Sequence, residues 1–285
     1  MAQVVQNIPE AEIDKLIEEY NAKYIVAREA AKGGEQYDAL REAARIELGL
    51  RQFLKCGNFT AFTTTFEDLY GLKQLPGLAV QRLMADGYGF GAEGDWKTAA
   101  LVRAMKIMAT GLTGGTSFME DYTYHFEPGN EMVLGAHMLE ICPSIASGEI
   151  KIVVAPLGIG GKNAPARLVF EGRAGKAICV SLTDMGGRLR MTAMEVECQK
   201  PILEMKNLPV ARAMWKPLPD FATAAEAWIL AGGSHHTVLS YDLSSQEMSD
   251  FAEIMGIEFI NINNDTKIGE LKNSLMISDL VWKLM

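Results

Sequence analysis

Two of the four histidines of this sequence are adjacent, His235 and His236, and they follow shortly after a Gly-Gly pair. The apolar and β-branched residues that come next predict a strand, in which neighbouring side chains point to opposite faces. One imidazole could then coordinate a metal ion while the other meets a substrate. Two solvent-exposed histidines are the plainer alternative, and the residues alone leave both interpretations open.

Two glutamates stand in unusual surroundings. Glu93 is flanked by glycines and aromatic residues, and Glu120 follows a Gly-Gly pair and is close to Phe118 and Tyr122. A carboxylate in such a segment lies either at a concave site or at a turn, and turns are the more frequent explanation.

A third histidine, His137, lies among apolar residues, where a buried structural imidazole is the more frequent explanation. Together, Glu93, Glu120, His137 and His236 would form an oxygen and imidazole set suited to Mn²⁺, Co²⁺ or Mg²⁺. These residues are far apart in the chain, so their spacing does not establish the set. For His125, beside aromatic residues and a turn, we expect a packing or capping role.

Composition narrows the class of protein. The 285 residues include 27 Lys and Arg against 36 Asp and Glu, and 48% are hydrophobic, which is typical of a globular protein. The net charge of −9 and the lack of a basic run argue against nucleic-acid binding. No apolar run is long enough to span a bilayer, and the N-terminus lacks the pattern of a secretory signal. The four cysteines are widely spaced without a CxxC motif, so we expect a cytoplasmic protein without disulfides or thiolate zinc.

The elements that must position these residues fall into two groups. Helical spacing over 9–20 and 35–55, with a stop of the second helix at Gly57 and Asn58, is followed by a predicted strand over 59–66. A helix capped by Asp95 and ended by Gly111 follows, and together these elements predict an α/β part with a parallel layer. After about residue 112, short β-rich segments predict an antiparallel sheet or small barrel, followed by a helix over 223–232 and a helix–strand–short helix tail. We therefore predict an α/β part over 1–112 and a barrel-like β-rich domain over 113–285. The glycine-rich stretches GYGFGAEG and LGIGGKNAP fail the tests for nucleotide loops and are predicted to be plain loops.

Long motifs in the chain resemble the L-arabinose isomerase family. The resemblance is carried by the stretch from TTTFEDLYGLKQLPG to GAHMLEICPSIA, by LGIGGKNAPARLVF and by AEAWILAGGSHHTV. It extends over essentially the whole chain. It implies the fold of the fucose and arabinose isomerases and a metal-dependent aldose–ketose isomerase, with Mn²⁺ as the usual ion and Co²⁺ or Mg²⁺ as substitutes.

The resemblance also implies residue roles. The metal ligands would be Glu93, Glu120, His137 and His236, with Glu93 and Glu120 as the acid–base pair that moves a proton between C1 and C2 of the sugar. The sugar pocket would be lined by Phe66, Phe118, Tyr122, Met138, Ile159 and His235.

Family members are longer and begin with an α/β domain that contributes substrate contacts across a subunit interface. The resemblance therefore implies a chain that corresponds to the later part of the family, and a homo-oligomer. Because part of the sugar-binding wall would come from the missing domain, the alternative to an isomerase is a metal-binding scaffold without activity, or one subunit of a larger assembly.

Overall fold

The computed structural model describes residues 1–201 and 205–284. The helices are α1 (Ala2–Gln6), α2 (Glu10–Lys23), α3 (Tyr37–Cys56), α4 (Gly77–Ala85), α5 (Trp96–Met108), α6 (Phe221–Ala231), α7 (Ser245–Met255) and α8 (Ile268–Leu284), with a 3₁₀ turn at Pro143–Ile145. The strands are β1 (Ile25–Val26), β2 (Ala61–Thr64), β3 (Gly89–Ala92), β4 (Thr116–His125), β5 (Met132–Ala136), β6 (Lys151–Val154), β7 (Ala166–Val169), β8 (Gly175–Asp184), β9 (Leu189–Gln199), β10 (Arg212–Pro217), β11 (His236–Ser240) and β12 (Glu258–Ile262).

The first part of the chain is an α/β layer, in agreement with the prediction. Strands β2 and β3 pair in parallel, and α4 connects them. Helix α5 follows β3 directly and begins at an Asp95 cap, whose side chain accepts the backbone N–H of Thr98 at 3.0 Å. The predicted stop after α3 is also present, and Asn58 is the residue that adopts the left-handed conformation, with φ of 55°.

The second part contains a closed barrel. Six strands of the described chain follow one another in the order β10-β5-β4-β11-β8-β9, and β9 pairs again with β10 to close the ring. All of these pairings are antiparallel. The long strand β9 also carries β12 in parallel on its first half, and this strand lies outside the closed ring. The barrel prediction is therefore confirmed.

A small sheet joins the two parts. Strand β1 pairs in parallel with β6, which pairs with β7 in antiparallel fashion. The side-chain amide of Gln81 on α4 donates to the carbonyls of Ile141 and Leu168 at 3.0 and 3.1 Å and accepts the N–H of Leu168 at 2.7 Å. These buried bonds fix α4, whose N-terminus borders the candidate site, against β7.

Three predictions of local structure are wrong. Glu120 lies on β4 and not in a turn, and the glycine-rich stretch GYGFGAEG contains β3 and is not a plain loop. The terminal helix α8 has 17 residues and is not short. It is fixed to the barrel by ion pairs, since Asp279 contacts Arg190 at 3.1 Å and Arg188.

A buried carboxylate fastens α3 to α4. Glu47 is completely buried and accepts hydrogen bonds from Arg82 Nε at 2.8 Å, Arg51 Nε at 2.9 Å and the Tyr20 hydroxyl at 2.8 Å. Removal of one partner of a buried ion pair leaves the other charge without compensation.

We expect Glu47→Gln to lower the free energy of unfolding by about 3–5 kcal/mol, because Arg82 keeps its buried charge and loses its main anion. Denaturant unfolding measures the loss. The matched control is Glu19→Gln, since Glu19 contacts the same guanidinium at 3.6 Å with a side chain that is 56% exposed. We expect the control to cost less than about 1 kcal/mol. Equal losses in the two variants would contradict this assignment.

Candidate metal centre and sugar site

Three neighbouring strands of the barrel bring distant residues together. Glu120 on β4 is the register partner of His236 at the start of β11 and of Ala136 at the end of β5. His137 follows Ala136 immediately. Antiparallel pairing therefore places one carboxylate between two imidazoles that are 99 positions apart in the sequence numbering, 236 − 137 = 99.

Glu120, His137 and His236 form a cluster on the outer face of the barrel. Side chains alternate along β4, so that Phe118 and Glu120 face outward while Met119 faces the interior. The Phe118 ring is completely buried and makes edge-to-face contacts with His137 and His236, each at a centroid distance of 5.1 Å. The Phe118 ring thus packs beneath both imidazoles and restricts their orientation.

Glu93 reaches the same place from the α/β layer. It follows β3 at the turn into α5 and has φ of 57°, a conformation that few residues other than glycine adopt. Ligand atoms of Glu93, His235 and His236 all lie within 4.8 Å of one another. The turn thus directs the Glu93 carboxylate toward the barrel face. Glu93 therefore lies both at a turn and beside a recess, the two alternatives that the sequence leaves open.

Each imidazole of the cluster is held by a carboxylate on its Nδ1 side. His137 Nδ1 is 2.5 Å from Glu140 Oε2, and His236 Nδ1 is 3.3 Å from Asp95 Oδ2. Burial lowers the pKa of His137, but the Glu140 carboxylate outweighs it, so this pKa lies above its usual value. Burial raises the pKa of Asp95, and hydrogen bonds from His236 and Thr98 overcome that effect and hold this pKa at about 2.

The Nε2 atoms of both rings remain available. His137 Nε2 is 4.0 Å from Glu120 Oε2, and His236 Nε2 is buried without a hydrogen-bond partner among residues 1–201 and 205–284. A buried unpaired ring nitrogen is costly unless something binds it. Imidazoles that ligate metals usually donate their other N–H to a carboxylate, as the Asp95 and Glu140 contacts allow here. The residues present therefore fit a divalent cation that prefers oxygen and imidazole ligands.

The sequence-based interpretation misses Asp95 and Glu140 as partners of the histidines. It predicts Asp95 only as a helix cap, and Asp95 fulfils that role at the same time. Glu140 stands three residues after His137, a spacing that is a usable signal in the GAHMLE motif.

The two adjacent histidines do not point to opposite faces, so that prediction is wrong. Their ring centroids are 4.3 Å apart, because β11 begins at His236 and His235 precedes the strand. His235 is exposed and close to Glu93, which leaves it free to serve as a metal ligand or as a sugar contact.

The other predicted sugar contacts are divided. Phe66 lines a small recess together with Glu93 and His137, and Met138 is half-buried against the same apolar cluster as Phe66. Ile159 is 48% exposed and precedes Gly160, where an added β-carbon would lie 3.4 Å from the Phe66 ring. Of these three residues, Phe66 lines the recess, Met138 follows the lining residue His137, and Ile159 lies in the loop near Phe66.

Two other predicted sugar contacts, Tyr122 and Phe118, do not line this recess. Tyr122 is 41% exposed on β4, next to the bulge between Asp121 and Thr123. Phe118 presents no exposed surface. His125 lies at the far end of β4, with Nε2 at 3.3 Å from Glu127, outside the cluster.

Comparison with known protein families assigns both parts of the chain. Residues 1–111 match the model of the L-arabinose isomerase central domain, and residues 115–258 match that of the L-arabinose isomerase C-terminal domain. The chain belongs to the L-arabinose isomerase family.

Individual members of this family are similar over the whole chain. The L-arabinose isomerases of Geobacillus thermodenitrificans and Bacillus subtilis are each 56% identical, over 99% and 100% of this chain. L-arabinose isomerase 1 of Bacillus licheniformis is 59% identical over 98% of it. The aligned regions are 57%, 57% and 56% of those proteins, so the chain spans somewhat more than half of their length.

The helices also bear on membrane insertion. In the described part of the chain, no helix combines the length and the apolar character that a bilayer span requires.

Proposed function

We propose that this chain carries the metal centre of an aldose–ketose isomerase that interconverts L-arabinose and L-ribulose, with D-galactose and D-tagatose as a slower pair. The observation that carries the proposal is the convergence of Glu93 and Glu120 on two imidazoles whose Nδ1 atoms are held by Asp95 and Glu140. Similarity to proteins named L-arabinose isomerase supports L-arabinose as the proposed substrate.

Glu93, Glu120, His137 and His236 would hold the cation, for which we propose Mn²⁺, with Co²⁺ or Mg²⁺ as substitutes. The bound ion supplies Lewis-acid stabilisation of negative charge on the sugar oxygens. In our proposal His235 donates a hydrogen bond to a sugar hydroxyl. The alternative is that His235 is a fifth ligand of the cation.

The two carboxylates perform the proton transfers. Isomerisation of an aldose removes the proton from C2, protonates the carbonyl oxygen at C1 to give a cis-enediol, then returns a proton to C1 as the C2 hydroxyl loses its own. Atoms balance without an added reactant. Glu93 follows β3 on the α/β side and Glu120 lies on β4 on the barrel side, so in our proposal one acts as base while the other acts as acid.

The surroundings of the recess keep the sugar in place. Phe66 lines it with apolar surface, and in our proposal Ile159 extends this surface, which would orient the substrate and exclude water. Tyr122 and Met138 would complete the wall on the barrel side, with the buried Phe118 ring beneath the imidazoles.

Ketose formation by the metal-depleted and reloaded chain tests the proposal. The purified protein is treated with EDTA, dialysed, and assayed with L-arabinose before and after addition of Mn²⁺. We expect L-ribulose only after the addition. Folded protein that binds Mn²⁺ without turnover would support the metal-binding scaffold instead, and protein that neither binds Mn²⁺ nor forms ketose would overturn both.

We expect Asp95→Asn to weaken Mn²⁺ binding by about 10–100-fold, because the amide still caps α5 but no longer places a negative charge on His236. Calorimetric titration with Mn²⁺ measures the change. Asp220→Asn is the matched control, since Asp220 caps α6 with the same contact to a threonine N–H, at 2.9 Å. Equal Mn²⁺ affinities for the Asp95 and Asp220 variants would contradict the role of Asp95.

We also propose a homo-oligomer in the cytoplasm. Helix α8 exposes an apolar face at successive turns, formed by Met276, Ile277, Leu280 and Val281, each at least 48% exposed. Association through this face would remove it from water. Light scattering at working concentration checks the assembly, and a stable monomer would refute it.

A further inference from the structure

The loop that connects β6 to β7 packs against the wall of the recess. It spans residues 155–165, and its glycine-rich tip carries Ile159. A β-carbon added to Gly160 would lie 3.4 Å from the Phe66 ring and 3.6 Å from a methyl group of Leu75. Phe66 and Leu75 both line the recess beside the candidate metal ligands. The loop tip therefore lies against two side chains of the candidate sugar site.

The base of this loop is fixed, whereas its tip has little packing of its own. At the base, the Ala155 N–H donates to the Pro165 carbonyl at 3.4 Å, and the Ala155 carbonyl accepts from the buried Arg167 at 2.5 Å. At the tip, Gly160 and Gly161 have φ of 82° and 58°, and a β-carbon on Gly161 would meet no atom within 4 Å. Glycine at these positions adds backbone freedom. The tip therefore needs contacts to a neighbouring segment to keep one position.

Lys162 supplies such contacts through its ammonium group. Nζ donates to the carbonyl oxygens of Leu69 and Leu72, at 2.9 Å each. The residue is half-buried, and within the described part of the chain it forms no ion pair with a carboxylate. Hydrogen bonds from a charged donor are about twice as strong as neutral ones. Lys162 therefore holds the loop tip to the segment 66–75, from which the two lining side chains come.

One backbone contact accompanies the two Lys162 bonds. The Asn163 N–H donates to the Lys73 carbonyl at 3.0 Å. The Lys73 side chain takes no part in this bond; it is 73% exposed, with its ammonium 4.0 Å from Glu42. Loop and segment are thus joined at three carbonyls, and the Lys162 ammonium donates to two of them.

We propose that Lys162 is a positioning residue of the isomerase, which fixes the apolar wall of the sugar site by holding the loop 155–165 against the segment 66–75. In this assignment Lys162 contacts neither sugar nor cation and acts through Phe66 and Leu75. An apolar wall packs on the substrate in the ground state and in the transition state alike, so its loss weakens binding without slowing the chemical step. The role toward the sugar rests on the proposed function, whereas the attachment of the loop does not.

Thermolysin digestion without Mn²⁺ or sugar tests the attachment of the loop. This protease cleaves before large apolar residues, and the loop offers Leu157 and Ile159. Lys162→Met keeps an unbranched side chain and removes its donors, so we expect the initial rate of cleavage in the loop, followed by mass spectrometry, to rise at least about tenfold. Lys73→Met is the matched control and should be cleaved like the parent chain. With the fold verified by circular dichroism, an unchanged rate in Lys162→Met would overturn the proposal.

Steady-state kinetics with L-arabinose at saturating Mn²⁺ tests the role toward the sugar. We expect Lys162→Met to raise KM at least about tenfold and to keep kcat within about threefold of the parent value, because binding common to both states is lost. Mn²⁺ affinity in a calorimetric titration should be unchanged, since no proposed ligand is altered. Lys162→Arg should keep KM within about threefold of the parent value, because a guanidinium also donates to carbonyls. A fall in kcat at unchanged KM, or an equal rise in KM in Lys73→Met, would overturn the role of Lys162.

Failure of the proposed function has a different signature. If the parent chain loaded with Mn²⁺ forms no ketose, the isomerase proposal fails and the role of Lys162 toward the sugar fails with it, while thermolysin cleavage still decides whether Lys162 holds the loop. If the parent chain forms ketose and Lys162→Met has the same KM, the isomerase proposal stands and the inference on Lys162 fails.

Discussion

Replacement of Glu120 by glutamine is expected to lower the turnover of L-arabinose by a factor of about 10²–10⁴ while the protein keeps its fold. The amide preserves the shape of the side chain but cannot accept a proton at neutral pH. It also places a weaker ligand beside His137 Nε2, 4.0 Å from the present carboxylate. Loss of Mn²⁺ affinity would add to the loss of proton transfer.

Glu93→Gln is expected to have an effect of the same order, because the reaction needs both an acid and a base. The measurement is kcat at saturating Mn²⁺, so that weaker metal binding does not mimic a chemical defect. Glu127→Gln serves as the control, since Glu127 lies beyond β4 with a side chain that is 63% exposed. Near-normal turnover by Glu120→Gln would show that the two-carboxylate mechanism on these positions is wrong.

Helices α2 and α3 of the first part are predictable from the sequence because each has one apolar face. Along α3, Leu40, Ala44, Leu50 and Leu54 are buried at helical spacing, with charged residues between them. The Asp95 cap is predictable for a similar local reason, since an Asp before an amphipathic run has a specific hydrogen-bond partner three residues later.

The strands of the site are harder to predict because they are buried on both faces. The first four residues of β4 and all five residues of β5 are buried. The barrel interior lies on one side, and the other side is covered by α5 over β4 and by Met205 and Leu208 over β5. Without a solvated face there is no alternation of polar and apolar residues. The glycines of β3 are typical of a loop, yet here they serve packing, because a β-carbon on Gly89 or Gly91 would collide with the backbone of α5.

The convergence of the site can be expected only through family resemblance. Glu93, Glu120, His137 and His236 come from separate elements, and nothing in their spacing reveals the register that makes Glu120 the neighbour of His236. The contact between Asp95 and His236 escapes prediction, because a hydrogen bond between residues 141 positions apart depends on tertiary packing. The contact between Glu140 and His137 is local, since these residues are three positions apart, and the sequence offers a signal for it.

His236→Ala is expected to weaken Mn²⁺ binding by more than about 100-fold, beyond the effect of removing a carboxylate that only orients a ligand. The unpaired Nε2 of His236 is the atom that, in our proposal, contacts the ion. Direct titration with Mn²⁺ measures the affinity without reference to activity. Excess Mn²⁺ should restore part of the turnover, because both carboxylates remain. His137→Ala should behave in the same way.

The two other histidines of the chain, His125 and His235, provide the controls for this prediction. His125→Ala should leave Mn²⁺ affinity unchanged, since His125 contacts Glu127 away from the cluster. His235→Ala distinguishes a sugar contact from a metal ligand: as a sugar contact, His235 leaves Mn²⁺ affinity unchanged on removal and raises KM. A loss of Mn²⁺ affinity in His235→Ala together with an unchanged affinity in His236→Ala would mean that the ion is bound through Glu93 and His235, on the exposed side of the cluster.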